Sequence, residues 1–467
     1  MAFHFGDKTE IREAPIQTLN PATEETLRIY PSYDAAQIDA ALDLARRAFS
    51  SWRSSPLAER TACLQRIASR LRAEKTHIAT LITTEMGKPI LEAEAEVEKC
   101  AWGCEHYAEH ASEYLADQIV TTAAKRSLVA FRPLGVILAI MPWNFPFWQV
   151  FRAAAPILAA GNALILKHAS NVTGCALEIE RLCIESGLPK GLLTPLVLAG
   201  HDMEPIIADP RIAAVTLTGS EAAGSSVAAI AAKHLKKAVL ELGGSDAFIV
   251  LADADIDEAA KTGARSRFLN AGQSCIAAKR FIVEDAAYDD FALALIEHAK
   301  KLVIGNPLDR ATQLGPLARA DLRKEIERQI QASLRLGAMK LLGAQRPDRP
   351  GYYYEPSILG NVSPAMPLFA EETFGPAAAL TRARDAEQAL ELANASPFGL
   401  GGSLWTRDRE RGERLAARLE SGSVFINGMT ISDPRLPFGG VKRSGYGREL
   451  SHFGIQEFVN VQTVWID

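Results

Sequence analysis

The chain has 467 residues and a formal net charge of −5, with charges of both signs scattered along it. That balance gives no footing for nucleic acid or an anionic membrane as a partner, and a chain this long buries enough apolar surface to fold without disulfides or a metal. At roughly 100–200 residues per domain it divides into two to four domains.

Residues 1–10 hold no basic segment followed by an apolar run, so no leader is expected there. The most apolar stretch, 134–143, is about half a membrane span and contains Gly135 and Pro142. The expectation is a cytoplasmic protein. Apolar residues recur at helical spacing over 35–52, where Ile38, Ala41, Leu42, Ala45 and Phe49 share a face. Further helices are predicted from Pro56 to about 86 and over 92–115. A Val- and Thr-containing alternation over 118–132 suggests a short hairpin.

From Gly135 onward short apolar runs alternate with helical stretches. The runs are 136–140, 163–166, 193–198, 213–217 and 238–240, with helices at 148–160, 173–187 and 220–236. This is the signature of βαβ units and a parallel sheet. A second series follows over 247–439, with strands at 281–283, 340–342 and 423–426 and helices at 286–302, 318–336 and 407–420. Residues 458–465 read as a terminal strand. Such a strand needs a partner, and the edge of another subunit is one place to find it.

Six cysteines are present: Cys63, Cys100, Cys104, Cys175, Cys183 and Cys275. None forms a CxxC pair or stands at zinc-ligand spacing from a histidine, so no metal is expected. Cys275 differs in its approach, Gly272-Gln273-Ser274, which brings the backbone close to a substrate and offers an N–H beside the thiol. A lone cysteine in such a loop is also compatible with an ordinary packed residue. Glu241 ends the apolar run 238–240 and precedes Gly243-Gly244, which aims it at the crevice of a parallel sheet or makes it a loop cap. Asn144, in Pro142-Trp143-Asn144-Phe145-Pro146, offers an amide N–H on a rigid loop, suited either to an oxyanion or to an Asx turn. Thr218-Gly219-Ser220 with Gly224 joins a strand to a helix start, where free N–H groups favour a phosphate, although the GxGxxG spacing is absent.

Together these elements resemble the aldehyde dehydrogenase superfamily. The resemblance runs from Asn20-Pro21-Ala22-Thr23 to Phe438-Gly439-Gly440. It takes in Asn144, Lys167, Gly219, Glu241, Cys275 and Glu372-Thr373-Phe374-Gly375-Pro376 in the family's order. It implies an α/β aldehyde dehydrogenase-like fold: a Rossmann-type dinucleotide-binding domain (1–115 and 135–245), an α/β catalytic domain (246–438) and a small β oligomerisation element (116–134 and 439–467). It also implies roles. Cys275 is the nucleophile, Asn144 and the Cys275 N–H hold the oxyanion, and Glu241 activates the water that hydrolyses a thioester. The cofactor, NADP or NAD, would lie on Trp143, Lys167, Ser170, Gly219, Ser220, Gly224, Leu242, Glu372 and Phe374.

Members that prefer NAD often carry a glutamate where this chain has Ser170. Serine removes the repulsion of a 2′-phosphate, so NADP should be tolerated or preferred. Arg152, eight residues after Asn144, stands where succinate semialdehyde dehydrogenases bind the substrate carboxylate, and an arginine fork suits that task. The stretch 272–280 also resembles a bacterial branch of those enzymes. Their second arginine, six residues before the nucleophile, is Leu269 here, so Ser432 and Arg435 are further candidates for the substrate. Ala277 stands where some relatives carry a second cysteine, so no disulfide switch is expected. The implied substrate is succinate semialdehyde. Glutarate semialdehyde, an uncharged aliphatic or aromatic aldehyde, and a non-catalytic structural role on the same scaffold are the alternatives. The implied assembly is a homodimer or homotetramer.

Overall fold

The computed structural model describes residues 14–198 and 203–467. The 1–10 stretch read above for a leader lies outside the described residues. The first predicted helix forms as Ala35–Trp52, started by Asp34, whose side chain accepts from Gln37 N in a capping box. The single stretch expected over 56–86 is two helices, Leu57–Ala73 and Lys75–Met86. They part at Glu74, whose carboxylate is held by Arg70 and Arg181. The long helix Ile90–Tyr114 follows.

Two sheets organise the rest. The first has six strands in the order Gly445–Tyr446, Lys237–Glu241, Ile212–Thr218, Val136–Met141, Ala163–His168 and Leu193–Pro195. All neighbours in it are parallel except the first pair. The last strand stops short of the predicted 193–198 run, at a proline that has no N–H to give the ladder. The second sheet has seven strands: Met339–Leu342, Ser357–Gly360, Ala377–Ala383, Ala278–Glu284, Asp246–Val250, Gly401–Trp405 and Ser423–Ile426. Only its first pair is antiparallel. Asp246–Val250 and Gly401–Trp405 are buried at every position. A strand covered on both faces shows no alternation, which is why these central strands carry little sequence signal.

The terminal strand forms as Val459–Ile466, and its partner is Arg126–Pro133 of the same chain, which also pairs with Gln118–Ile119. Within the chain it is paired on that side only and stands at the edge of this three-stranded sheet. Residues 439–458 do not join this small sheet: Gly445–Tyr446 extends the six-stranded sheet, and Val441–Lys442 pairs with Phe398–Gly399. Among the described residues no helix is long and apolar enough to cross a membrane.

Candidate active site

The six-stranded sheet sets out one half of the site. Asn144, Lys167, Gly219 and Glu241 all lie at or just beyond the carboxyl ends of neighbouring parallel strands. This is the crevice in which open α/β sheets bind ligands. The loop carrying Asn144 is pinned from below by the helix Ile90–Tyr114. Glu96 Oε1 accepts from the N–H groups of Phe147 (2.9 Å) and Trp148 (3.0 Å) at the start of the helix Trp148–Ala159. Its other oxygen pairs with the buried Lys88, whose ammonium also lies 3.7 Å from the centre of the Phe145 ring. The burial is stable because every charge here has a partner.

Cys275 comes from the other half, in the turn between the helix Ile256–Phe268 and the strand Ala278–Glu284. The approach is strained: Asn270, Ala271 and Gly272 have φ of 53°, 52° and 73° in succession. Only the glycine adopts this region freely. The strain is held by named contacts. Glu92 accepts from Asn270 N at 2.8 Å, and Asn270 Nδ2 donates to Asn144 O at 2.8 Å. The fully buried Arg267 donates through Nη2 to the carbonyls of Gly272, Thr373 and Gly375. Asn144 Nδ2 donates to Gln273 O at 3.1 Å, two residues before Cys275. This ties a buried amide to the turn that carries Cys275.

Lys279 joins the two halves. Its ammonium donates to Gly244 O at 2.6 Å and Cys275 O at 2.7 Å, and lies 3.5 Å from Glu372. Gly244 must be glycine, because a Cβ there would lie 2.7 Å from Cys275 O. Burial pushes the Cys275 thiol up to about 11, and Lys279 and Arg152 only partly offset this. At neutral pH the resting thiol is therefore protonated.

Glu241 is buried, and neither of its oxygens has a hydrogen-bond partner. Burial, then the neighbouring Glu449 carboxylate, push it well above the usual carboxylate range. Glu449 itself pairs with Arg152. Sequence reasoning missed Glu449, as it missed Lys279, Arg267 and Glu92. Gly439 (φ 152°) leaves room for the Glu241 carboxylate, since a Cβ on it would lie 2.7 Å from Glu241 Oε1.

A cavity of about 1080 Å³ opens on Cys275 and is also walled by Arg152, Trp148, Ser432, Phe438 and Lys99. Arg152 is buried there, with Nη2 on Thr218 Oγ1 at 3.2 Å and its guanidinium 4.7 Å from the centre of the Phe438 ring. Arg435 is set apart. It is largely exposed, is not part of the cavity wall, pairs with Asp433 and stacks over Trp102. The geometry does not place it where a substrate would meet it.

A dinucleotide fits the residues on the crevice side. Ser220 caps the 13-residue helix Glu221–Lys233 by accepting from Ala223 N, and a Cβ on Gly219 before it would meet only Leu217 Cδ2, at 3.6 Å. The remaining N–H groups of that first turn can receive a pyrophosphate. Gly224 is buried against Leu242, so Leu242 sets how closely this helix packs on the sheet. Glu372 accepts from Gly244 N at 3.0 Å, and Trp143 meets Phe374 edge to face at 5.7 Å. Lys167 is buried at the end of its strand, and Ser170 begins the short turn after it.

The aldehyde dehydrogenase family model matches residues 8–464. A probable NADP(+) succinate-semialdehyde dehydrogenase of Synechocystis sp. is 50% identical over 97% of this chain and 99% of its own. The NAD(P)+ succinate semialdehyde dehydrogenase Sad of Escherichia coli is 49% identical over 96% of this chain and 97% of its own. The crystal structure of succinic semialdehyde dehydrogenase from Streptococcus pyogenes in complex with NADP+ superposes with a TM-score of 0.94. It is 39% identical and covers 97% of this chain and 99% of that one. The chain belongs to the aldehyde dehydrogenase family and is an NAD(P)-dependent oxidoreductase that acts on an aldehyde.

Proposed function

We propose that this enzyme oxidises succinate semialdehyde to succinate with NADP as the favoured cofactor. The observation that carries the reading is one cavity whose wall holds both Cys275 and the buried Arg152, with Ser432 beside them. The names of the similar proteins point the same way. Cys275, its thiol proton passed to solvent, bonds through Sγ to the aldehyde carbon, and the oxyanion so formed accepts hydrogen bonds from Asn144 Nδ2 and the Cys275 N–H. A nicotinamide dinucleotide held by the crevice residues would supply the hydride acceptor. Glu241, deprotonated, takes a proton from the water that cleaves the thioester and releases the acid. Arg152 and Ser432 receive the far carboxylate.

NADP preference rests on Ser170, which leaves out the carboxylate that would repel a 2′-phosphate. The division into 1–115 with 135–245, 246–438, and 116–134 with 439–467 stays part of this proposal. So does a cytoplasmic homodimer or homotetramer. The exposed Val461, Trp465 and Ile466 of the terminal strand support assembly through the small sheet.

The test is initial-rate formation of NADPH and NADH with succinate semialdehyde, glutarate semialdehyde, butanal and benzaldehyde, for the wild type and Arg152→Ala. The reading stands if the semialdehydes win and Arg152→Ala removes their advantage. Equal rates with butanal or benzaldehyde refute the substrate and leave the family untouched.

A further inference from the structure

Arg152 is not a free cation. Its guanidinium is paired with Glu449 and also donates to Thr218 Oγ1. A substrate carboxylate meeting Arg152 alone would meet a charge already matched. A second cation stands in the same wall. Lys99, from the helix Ile90–Tyr114, donates to Ser432 Oγ at 2.6 Å and lies 4.8 Å from the centre of the Trp148 ring.

The two carboxylates nearest in influence to Lys99 are engaged elsewhere: Glu96 with Lys88 and Asp433 with Arg435. The ammonium therefore meets a hydroxyl and a ring face rather than a counter-ion. A cation desolvated in this way gains most from an arriving carboxylate. We propose that Lys99, held against Ser432 Oγ with Arg152 as its cationic neighbour, is the specificity-determining anchor for the far carboxylate of the substrate. The inference rests on the semialdehyde reading above and deepens it.

Burial, then the like charge of Arg152, bring Lys99 down to about 8, while Cys100, Asp433 and Glu96 act weakly in the other direction. The anchor is thus charged at neutral pH and fades as the pH rises through about 8. An arginine in its place keeps its charge throughout.

The experiment compares kcat/KM for succinate semialdehyde with that for butanal, as a ratio, in the wild type, Lys99→Met, Lys99→Gln and Lys99→Arg. The ratio should fall about 10²-fold in Lys99→Met and Lys99→Gln, and recover for the most part in Lys99→Arg. In the wild type the ratio should decline as the pH rises through about 8, and in Lys99→Arg it should not. A ratio held within about threefold in both neutral variants overturns the anchor, because a merely structural lysine lowers both substrates alike. If the wild type itself does not prefer the semialdehyde, it is the substrate reading that fails. If that preference exists and survives the loss of Lys99, only the anchor fails.

Discussion

Gly439→Ala is the sharpest probe of the Glu241 pocket. The added methyl carbon would stand 2.7 Å from Glu241 Oε1 and 2.9 Å from both Arg448 Cδ and Gly447 O. Non-bonded contact needs about 3.5 Å, so the carboxylate must retreat by roughly 0.8 Å. The φ of 152° at this position adds strain of about 1–3 kcal/mol for any L side chain. A shift near 1 Å costs a reacting group up to about 10²-fold. The expected loss in kcat is therefore some tenfold to a hundredfold, and it should fall on thioester hydrolysis alone. Stopped-flow absorbance at the NADPH band separates the steps. The variant should keep a burst of one NADPH per active subunit and then turn over slowly. A burst that shrinks in proportion to the steady rate, with intact secondary structure, would show that Gly439 does not act through Glu241. An unchanged kcat would show that the pocket yields freely.

Glu241→Gln should also keep the burst and lose roughly 10²–10⁴-fold in turnover, since an amide cannot take the proton from water. Alkylation of Cys275 by iodoacetamide should quicken about tenfold per pH unit from 7 to 10, because the thiolate is the nucleophile and burial holds the thiol at about 11. Peptide mapping should leave the five buried thiols unlabelled, and a pH-independent rate would contradict the assignment. Ser170→Glu should lower the NADP-to-NAD ratio of kcat/KM by at least about tenfold, and an unchanged ratio would remove Ser170 from cofactor choice. Lys88→Met should cost about 3–5 kcal/mol in chemical denaturation, because it leaves Glu96 charged, buried and without its partner.

Sequence reading singles out a residue where one residue type answers to one local demand. Cys275 and Asn144 declared themselves through glycine, proline and aromatic neighbours, and Glu241 through its place at a strand end. Helices with one wet face, such as Ala35–Trp52, declared themselves through spacing. It failed where the demand comes from a distant part of the chain. Nothing around Lys99 in sequence marks it, because its significance arises from Ser432, which lies more than three hundred residues away. Glu449 matters through Arg152 and Glu241, and Arg267 through Thr373 and Gly375. Arg435 shows the converse error. Its place in the chain suggested a substrate contact, yet the neighbouring Asp433 supplies a local partner that holds the guanidinium at the surface.

The buried charges around the site fall into two kinds, and the difference bears on how the enzyme works. Lys88 with Glu96, and Lys279 on two carbonyls, are satisfied by fixed groups and lock loops in place. Glu241 has no partner for either oxygen, and Lys99 has only a hydroxyl and a ring. A fully paired network stabilises one conformation, whereas a buried group left short of partners stores interaction energy for whatever enters. On the proposed mechanism Glu241 is left short where water would be activated, and Lys99 where a carboxylate would arrive. The satisfied pairs make this tolerable: Glu92 and Arg267 hold the strained turn at Asn270, and Lys279 ties the backbone of Gly244 to that of Cys275. Loosening those clamps should therefore impair turnover before it unfolds the protein.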